Sequence, residues 1–197
     1  MARQPNKISK FLSIITILFF VITFGLCSYL PSALKGDVNA QIFTISQSLA
    51  FSIKPLFVVL LSISVILLAF LIYYRGQNYQ VIRLFLLLII YAFIVTILWV
   101  TTMYNLIDHY ICAIIIFVSA FIFITINSLS IYDGYLGKNC ISFAILTIIP
   151  ILAFLGIVGL IVSNIYAVDK AVPELFPAFE NYMIVIKGLS ILTLGFI

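Results

Sequence analysis

Charge is what this sequence has least of. Only 8% of its 197 residues are Asp, Glu, Lys or Arg, against about 25% in an ordinary soluble domain. That is too little to coat a water-soluble globule. Six acids and ten bases also cannot build a broad basic face, so no nucleic acid partner is expected despite a net charge of +4. Histidine occurs once and cysteine three times, as Cys27, Cys112 and Cys140, without a CxxC spacing. Neither a zinc site nor a disulfide framework follows from that set, and no metal or cofactor is expected. A Walker loop, a GxSxG elbow, an HExxH helix, an NxS or NxT sequon and an arginine ladder are all missing. So is an obvious internal repeat, which speaks against an inverted-repeat transporter.

Apolar residues fill the space that charge leaves: they make up 65% of the chain, and the mean hydropathy is +1.33. They fall into continuous runs, not alternating ones, each near the roughly 20 helical residues that cross a hydrocarbon core about 30 Å thick. In lipid a helix satisfies its own backbone, so helices are expected and barrel strands are not. The runs predict crossings at 11–30, 55–74, 84–107, 110–132, 141–166 and 178–197. Residues 1–197 thus read as one all-α transmembrane domain, a polytopic six-helix bundle. The first run follows Arg3, Lys7 and Lys10, yet it is long for a signal-peptide core and no AxA-like site follows, so it is expected to stay as a helix. Residues 31–54, with Pro31 and Gly36, read as a polar loop holding an interfacial helix at most, and Asp37, Asn39 and Gln41 there as possible headgroup contacts.

Basic residues orient the bundle. With the amino terminus in the cytoplasm, Arg3, Lys7, Lys10, Arg75, Arg83 and Lys138 fall inside, and only Lys35, Lys54 and Lys170 outside. The positive-inside rule then places both termini in the cytoplasm. Asp37, Asp108, Asp169, Glu174 and Glu180 gather on the opposite, lumenal face, leaving Asp133 within.

Three titratable residues stand at the lumenal edge. Asp108 and His109 occupy the turn before the fourth helix in "LIDHYICAIIIF", and Glu180 opens the sixth in "PAFENYMIVIK". If those helices are neighbours, two carboxylates and a histidine meet at one interface. Such a set suits general acid and base chemistry on a lipid headgroup, with His109 as base and Asp108 or Glu180 orienting it. An aspartate at a helix start equally caps free amides, and an interfacial histidine sits where water meets lipid. With no nucleophile or metal set beside them, the structural reading is preferred over catalysis. Lys187 lies seven residues beyond Glu180 on nearly the same face, about 10 Å deeper by helical rise. An intramembrane charge costs about 3 kcal/mol on insertion scales and calls for a partner, a polar cavity, a lipid phosphate or snorkelling to the interface. Asn127 and Ser128 are expected to hydrogen-bond across to a neighbouring helix. Pro150 should kink the fifth helix, and Gly156 with Gly159 should admit a close neighbour.

Several of these stretches resemble one family. His109, Ala113 and Phe117 in "HYICAIIIFVSAFIFITINS", followed by Asn127 and Ser128, are similar to the HxxxAxxxF pattern and the trailing Gln or Asn and Ser of the damage-regulated autophagy modulator (DRAM), FRAG and SFK family. "YLPSALKGDVNAQIF" resembles its first loop, Arg75 in "IYYRGQN" its basic residue after the second helix, and "AFENYMIVIKGLSILTL", with Glu180, its last helix. Ile111 and Cys112 replace its usual glycines, Asn181 its tryptophan, and its cytoplasmic tail has no counterpart, so sorting signals of that kind are not expected. The resemblance implies an integral protein of endolysosomal, Golgi or plasma membranes, active in autophagy or membrane-lipid homeostasis. Binding of membrane lipids at Asp108, His109, Glu180 and Lys187, or of a membrane-protein partner, would serve that role. A lipid-remodelling enzyme of the glycosylphosphatidylinositol-anchor type, with Lys187 attracting phosphate, and a small channel or transporter lined by Glu180 and Lys187 are the alternatives.

The orientation is open to direct test. A glycosylation acceptor inserted within 31–54 should be modified in endoplasmic reticulum membranes, and one inserted within 75–83 should not. The reverse pattern would invert the assignment.

Overall fold

The computed structural model describes residues 5–35, 54–76, 79–101, 106–135, 140–168 and 175–197. The described residues form six helices: α1 (Lys7–Lys35), α2 (Lys54–Arg75), α3 (Tyr79–Thr101), α4 (Leu106–Tyr135), α5 (Cys140–Val168) and α6 (Leu175–Phe196). Each contains a stretch long and apolar enough to cross a membrane. The chain is an all-α, multi-pass membrane bundle.

Two boundaries differ from the sequence reading. α1 continues through Pro31 to Lys35, so the expected loop starts later than the proline suggested; residues 36–53, with Asp37, Asn39 and Gln41, lie outside the described residues. α3 begins at Tyr79, earlier than its apolar run, and is described as far as Thr101, residues 102–105 lying outside the described residues. At its start, Gln80 and Arg83 are exposed, and a polar first turn reaches past the hydrocarbon without cost.

Consecutive helices pack side by side, and α1 closes on α6. α6 also meets α2 and α4 besides α5, so it is the helix with most neighbours. Burial follows: 44% of its spanning window is enclosed, against 17% for α3. The core joins Leu71, Phe85, Phe123, Ile124, Ala153 and Ile191 from five helices, while Phe11, Ile66, Phe70, Ile90, Ile114 and Phe154 point outward. In water such an exterior would aggregate. In a bilayer it is the solvated face.

Polar residues accordingly turn inward. On α1, Ser9, Ser13, Thr16 and Thr23 are buried beside Phe20, at spacings that keep one helical face. Asn6 starts that helix as a cap: its Oδ1 accepts from the Ser9 amide at 2.9 Å, and the Asn6 amide donates to Ser9 Oγ at 3.0 Å, a reciprocal pair of the capping-box kind. Ser9 Oγ donates to the Gly195 carbonyl at 3.2 Å, and Ser13 Oγ to the Ile191 carbonyl at 2.9 Å. These two bonds pair the start of α1 with the end of α6, so the helices run antiparallel and both chain ends share one face of the bundle. Close approach makes it possible. A Cβ on Gly195 would overlap the Ser13 side chain and lie 3.1 Å from the Ser9 carbonyl oxygen.

α4 joins α6 through Asn127, which is wholly buried. Its Nδ2 donates to the Ser190 carbonyl at 2.9 Å and to Ser190 Oγ at 3.0 Å. α5 runs on through Pro150 and meets α6 where Tyr182 Oη donates to the Leu152 carbonyl at 3.1 Å. Gly159 on α5 leaves the room that the Phe179 ring occupies, so there it admits a side chain, not a backbone.

The two kinds of contact should differ in cost. Asn127→Ala removes side-chain hydrogen bonds, worth about 0.6 kcal/mol each and at most about 1.7 in membrane interiors. Gly195→Val forces backbones apart, an overpacking of about 1–3 kcal/mol. Unfolding in mixed micelles should rank Gly195→Val as the more damaging, and the opposite order would displace close packing as the main hold on α6.

Candidate functional site: an interior cavity at Lys187

The bundle interior is incompletely filled around Lys187. Cavities of about 60 and 80 Å³ adjoin it and share Leu61, Thr96, Ile116 and Ala120 as walls. The larger extends toward Glu180 between Phe20, Phe57 and Ala113, with Phe117 beside them. The smaller continues the other way, between Ser119, Leu68, Ile89 and Phe123. Small side chains make the space: Ala113 and Ala120 on α4, about two turns apart, stand where bulkier residues would close it.

Glu180 and Lys187 reach this space from α6 for a simple reason. Seven residues are two turns less about 20°, so both side chains share a face, about 10 Å apart along the axis. Glu180 is 3% exposed, and Lys187 is half-buried. The Lys187 ammonium stands 5.3 Å from the centre of the Phe20 ring, inside the range in which a cation is attracted to an aromatic face. Phe20 in turn packs on Phe24, with ring centres 4.6 Å apart, and Phe24 meets Phe57 edge-on at 5.8 Å. Among the described residues no carboxylate lies within ion-pair distance of Lys187. Among the described residues the Phe20 ring is the group that faces its positive charge.

The other sequence candidates divide. Ala113 and Phe117 line the cavity with Glu180 and Lys187. Asn127 binds α6 deeper in the bundle, as above, and Ser128 is buried with no hydrogen-bond partner for its hydroxyl. The backbone of Asp108 and His109 falls in the first turn of α4, at the same end as the first turns of α6, and α4 contacts α6. The side chains of residues 106–110 lie outside the described residues. Beyond Lys187 the smaller cavity ends on Leu68, Ile89 and Phe123, an apolar layer tightened by the edge-on pair of Phe85 and Phe123 at 5.3 Å. It offers an ion no polar continuation. No group of three or more His, Cys, Asp or Glu able to hold a metal occurs among the described residues.

Phe20 and Ser119 were not singled out in the sequence. A signal for Phe20 did exist: it shares the inward face that Ser13, Thr16 and Thr23 define on α1. Arg75, expected as the basic residue that ends the second helix, is 1% exposed at the end of α2, where a cation meets the negative end of the helix dipole.

Fold and cavity define a multi-pass integral membrane protein with a lysine set inside its bundle. Comparison with known proteins finds no matching family model, no similar curated protein and no similar solved structure.

A charge without a carboxylate partner is a stability defect. Lys187→Met keeps length and flexibility while removing the ammonium. The insertion cost of about 3 kcal/mol, less the 0.5–2 kcal/mol returned by the ring, leaves a gain of about 1–2 kcal/mol. For a chain of this size that is roughly 2–8 °C in unfolding temperature. Ligand-free Lys187→Met in detergent should melt higher than wild type by that amount, and a lower melting temperature would mean that Lys187 is paired.

Proposed function

We propose that this protein binds an anionic amphiphile inside the bundle, with its carboxylate or phosphate oxygen at Lys187 and its chain along the apolar wall toward Phe57 and Phe117. The observation that carries the reading is the Lys187 ammonium, held beside open space with only an aromatic face for company. Proteins seldom keep such a charge in a membrane unless it is used. The cavity size favours a small acidic group over a bulky headgroup: about 80 Å³ holds a carboxylate and little more, so the chain takes its place by displacing the Phe57 and Phe117 side chains.

This binding fits the role that the DRAM-like motifs imply: a non-enzymatic modulator of autophagic or endolysosomal membranes, or of their lipid homeostasis, with both termini in the cytoplasm. Golgi and plasma membranes belong to the same system. Glu180 closes the lumenal end of the cavity, and Asp108 and His109 start the neighbouring helix, where a headgroup would enter. Under this reading the titratable residues recognise lipid and do not turn it over.

Oleate and oleyl alcohol separate charge recognition from chain binding. At about a hundred times its dissociation constant a ligand stabilises its target by about 2.7 kcal/mol, roughly 5–11 °C here. Oleate should raise the melting temperature of wild type by that amount, oleyl alcohol should raise it less, and Lys187→Met should abolish the difference. Equal shifts for the two compounds in wild type, or an undiminished oleate shift in Lys187→Met, would overturn the proposal.

A further inference from the structure

Another cavity, sharing none of the walls around Lys187, opens between α4 and α5. It has a volume of about 310 Å³ and is bounded by Thr125 and Ser128 on α4 and by Phe143, Leu146, Thr147 and Pro150 on α5. That is near the lower limit, about 300 Å³, of pockets that hold small organic ligands. Its rim reaches the lipid-facing surface: Leu129 is 60% exposed and Phe143 49%. A ligand can therefore enter sideways from the bilayer.

The wall has polar groups but no charge. Thr125 Oγ1 donates to the Phe121 carbonyl and Thr147 Oγ1 to the Phe143 carbonyl, both at 2.9 Å, so both hydroxyl protons are used within their own helices. Ser128 is different. It is 4% exposed, and its hydroxyl has no hydrogen-bond partner, although the same back-bond one turn earlier is open to any helical serine. Across the cavity Pro150 has no amide proton, so the Leu146 carbonyl is denied its usual helical donor. The cavity wall thus carries one hydroxyl able both to donate and to accept, at Ser128, and includes Leu146, whose carbonyl lacks its usual helical donor.

Depth narrows the choice of ligand. Ser128 lies seven residues before the end of α4, about 10 Å along the axis, and the helix of 30 residues is about 45 Å long against a hydrocarbon core of about 30 Å. Ser128 thus sits just inside one edge of the hydrocarbon. A lipid with no charged headgroup places its hydroxyl at that level, because taking it deeper unpaired is costly. A phospholipid ester could accept from Ser128 but has no proton for the opposite wall.

We propose that this cavity binds an uncharged lipid alcohol, its hydroxyl exchanging hydrogen bonds with Ser128 and its hydrocarbon lying in the groove between α4 and α5. Diacylglycerols and sterols share that chemistry, and two probe arms tell them apart. The full chain in phosphatidylcholine nanodiscs is photolabelled with a diazirine diacylglycerol or a diazirine sterol, each beside its methyl ether, and the labelled peptides are mapped by mass spectrometry. At least one alcohol should label residues 125–129 or 143–150 about fivefold above its ether, the ratio expected for one net hydrogen bond, and Ser128→Ala should fall to the ether level. The arm that labels names the lipid. Equal labelling by alcohol and ether, or no enrichment of either alcohol at these segments, overturns the proposal. The wild-type ratio decides even if Ser128→Ala fails to fold. Loss of the oleate response at Lys187 would leave this result untouched.

Discussion

Everything in this bundle depends on where a polar group can find a partner once water is gone. Between lipid and helix there is no hydrophobic gain from burying leucine, since the lipid is as apolar as the core. Hydroxyls, amides and charges gain from turning inward, and α6 is where groups from α1 and α4 meet its own. Ser190 and Thr193 on α6 are buried beside Asn127 of α4, while Ser9 and Ser13 of α1 bind α6 carbonyls on another side. α6 is the least hydropathic of the spans, at 1.2, and the most enclosed. The two facts have one cause: a helix with that many polar atoms is stable only where neighbours surround it.

The same rule explains which features could be read from the residues. Six long apolar runs specify spanning helices, because lipid leaves the backbone no alternative. Boundaries were harder. Hydropathy sees side chains, but α3 starts at Tyr79, on a polar turn ahead of its apolar run, and α1 passes Pro31 because a single missing amide does not end a long helix. Lys187 stood out as a charge within an apolar run. Phe20 did not, since a phenylalanine inside "FLSIITILFFVITF" looks like every neighbour. Only the placing of α1 against α6 turns that ring into the ammonium's neighbour.

Asn127 and Ser128 show how finely position matters. They are adjacent and alike in sequence, and both invite the same reading as interhelical glue. Successive helical residues point about 100° apart, so when Asn127 faces Ser190, Ser128 must face elsewhere. It turns to the α5 side, where Pro150 withholds a donor and the Thr125 and Thr147 hydroxyls are already engaged. Neighbours in sequence therefore have opposite fates, one bonded through three atoms of α6 and one without a partner. No pattern of residue types encodes that difference; helix azimuth does.

Rigid and yielding parts of the bundle are separated along its axis. The end that holds both termini is clamped by Ser9, Ser13 and Gly195, with Lys10 lying over the Phe196 ring at 5.7 Å and Asn6 Nδ2 reaching Tyr74 Oη at 3.4 Å. Toward the other end, α6 is held by the Phe179 ring against Gly159 of α5, by the single bond from Tyr182 Oη to the Leu152 carbonyl and by the walls of the Lys187 cavity. Aromatic and aliphatic contacts are non-directional and can slide, whereas the hydrogen-bonded clamp has one register. Under the proposed binding, a ligand entering near Glu180 would displace side chains without breaking the interface that aligns α1 with α6. A charge that costs stability is tolerable in such an arrangement because the clamp, which fixes the fold, does not depend on it.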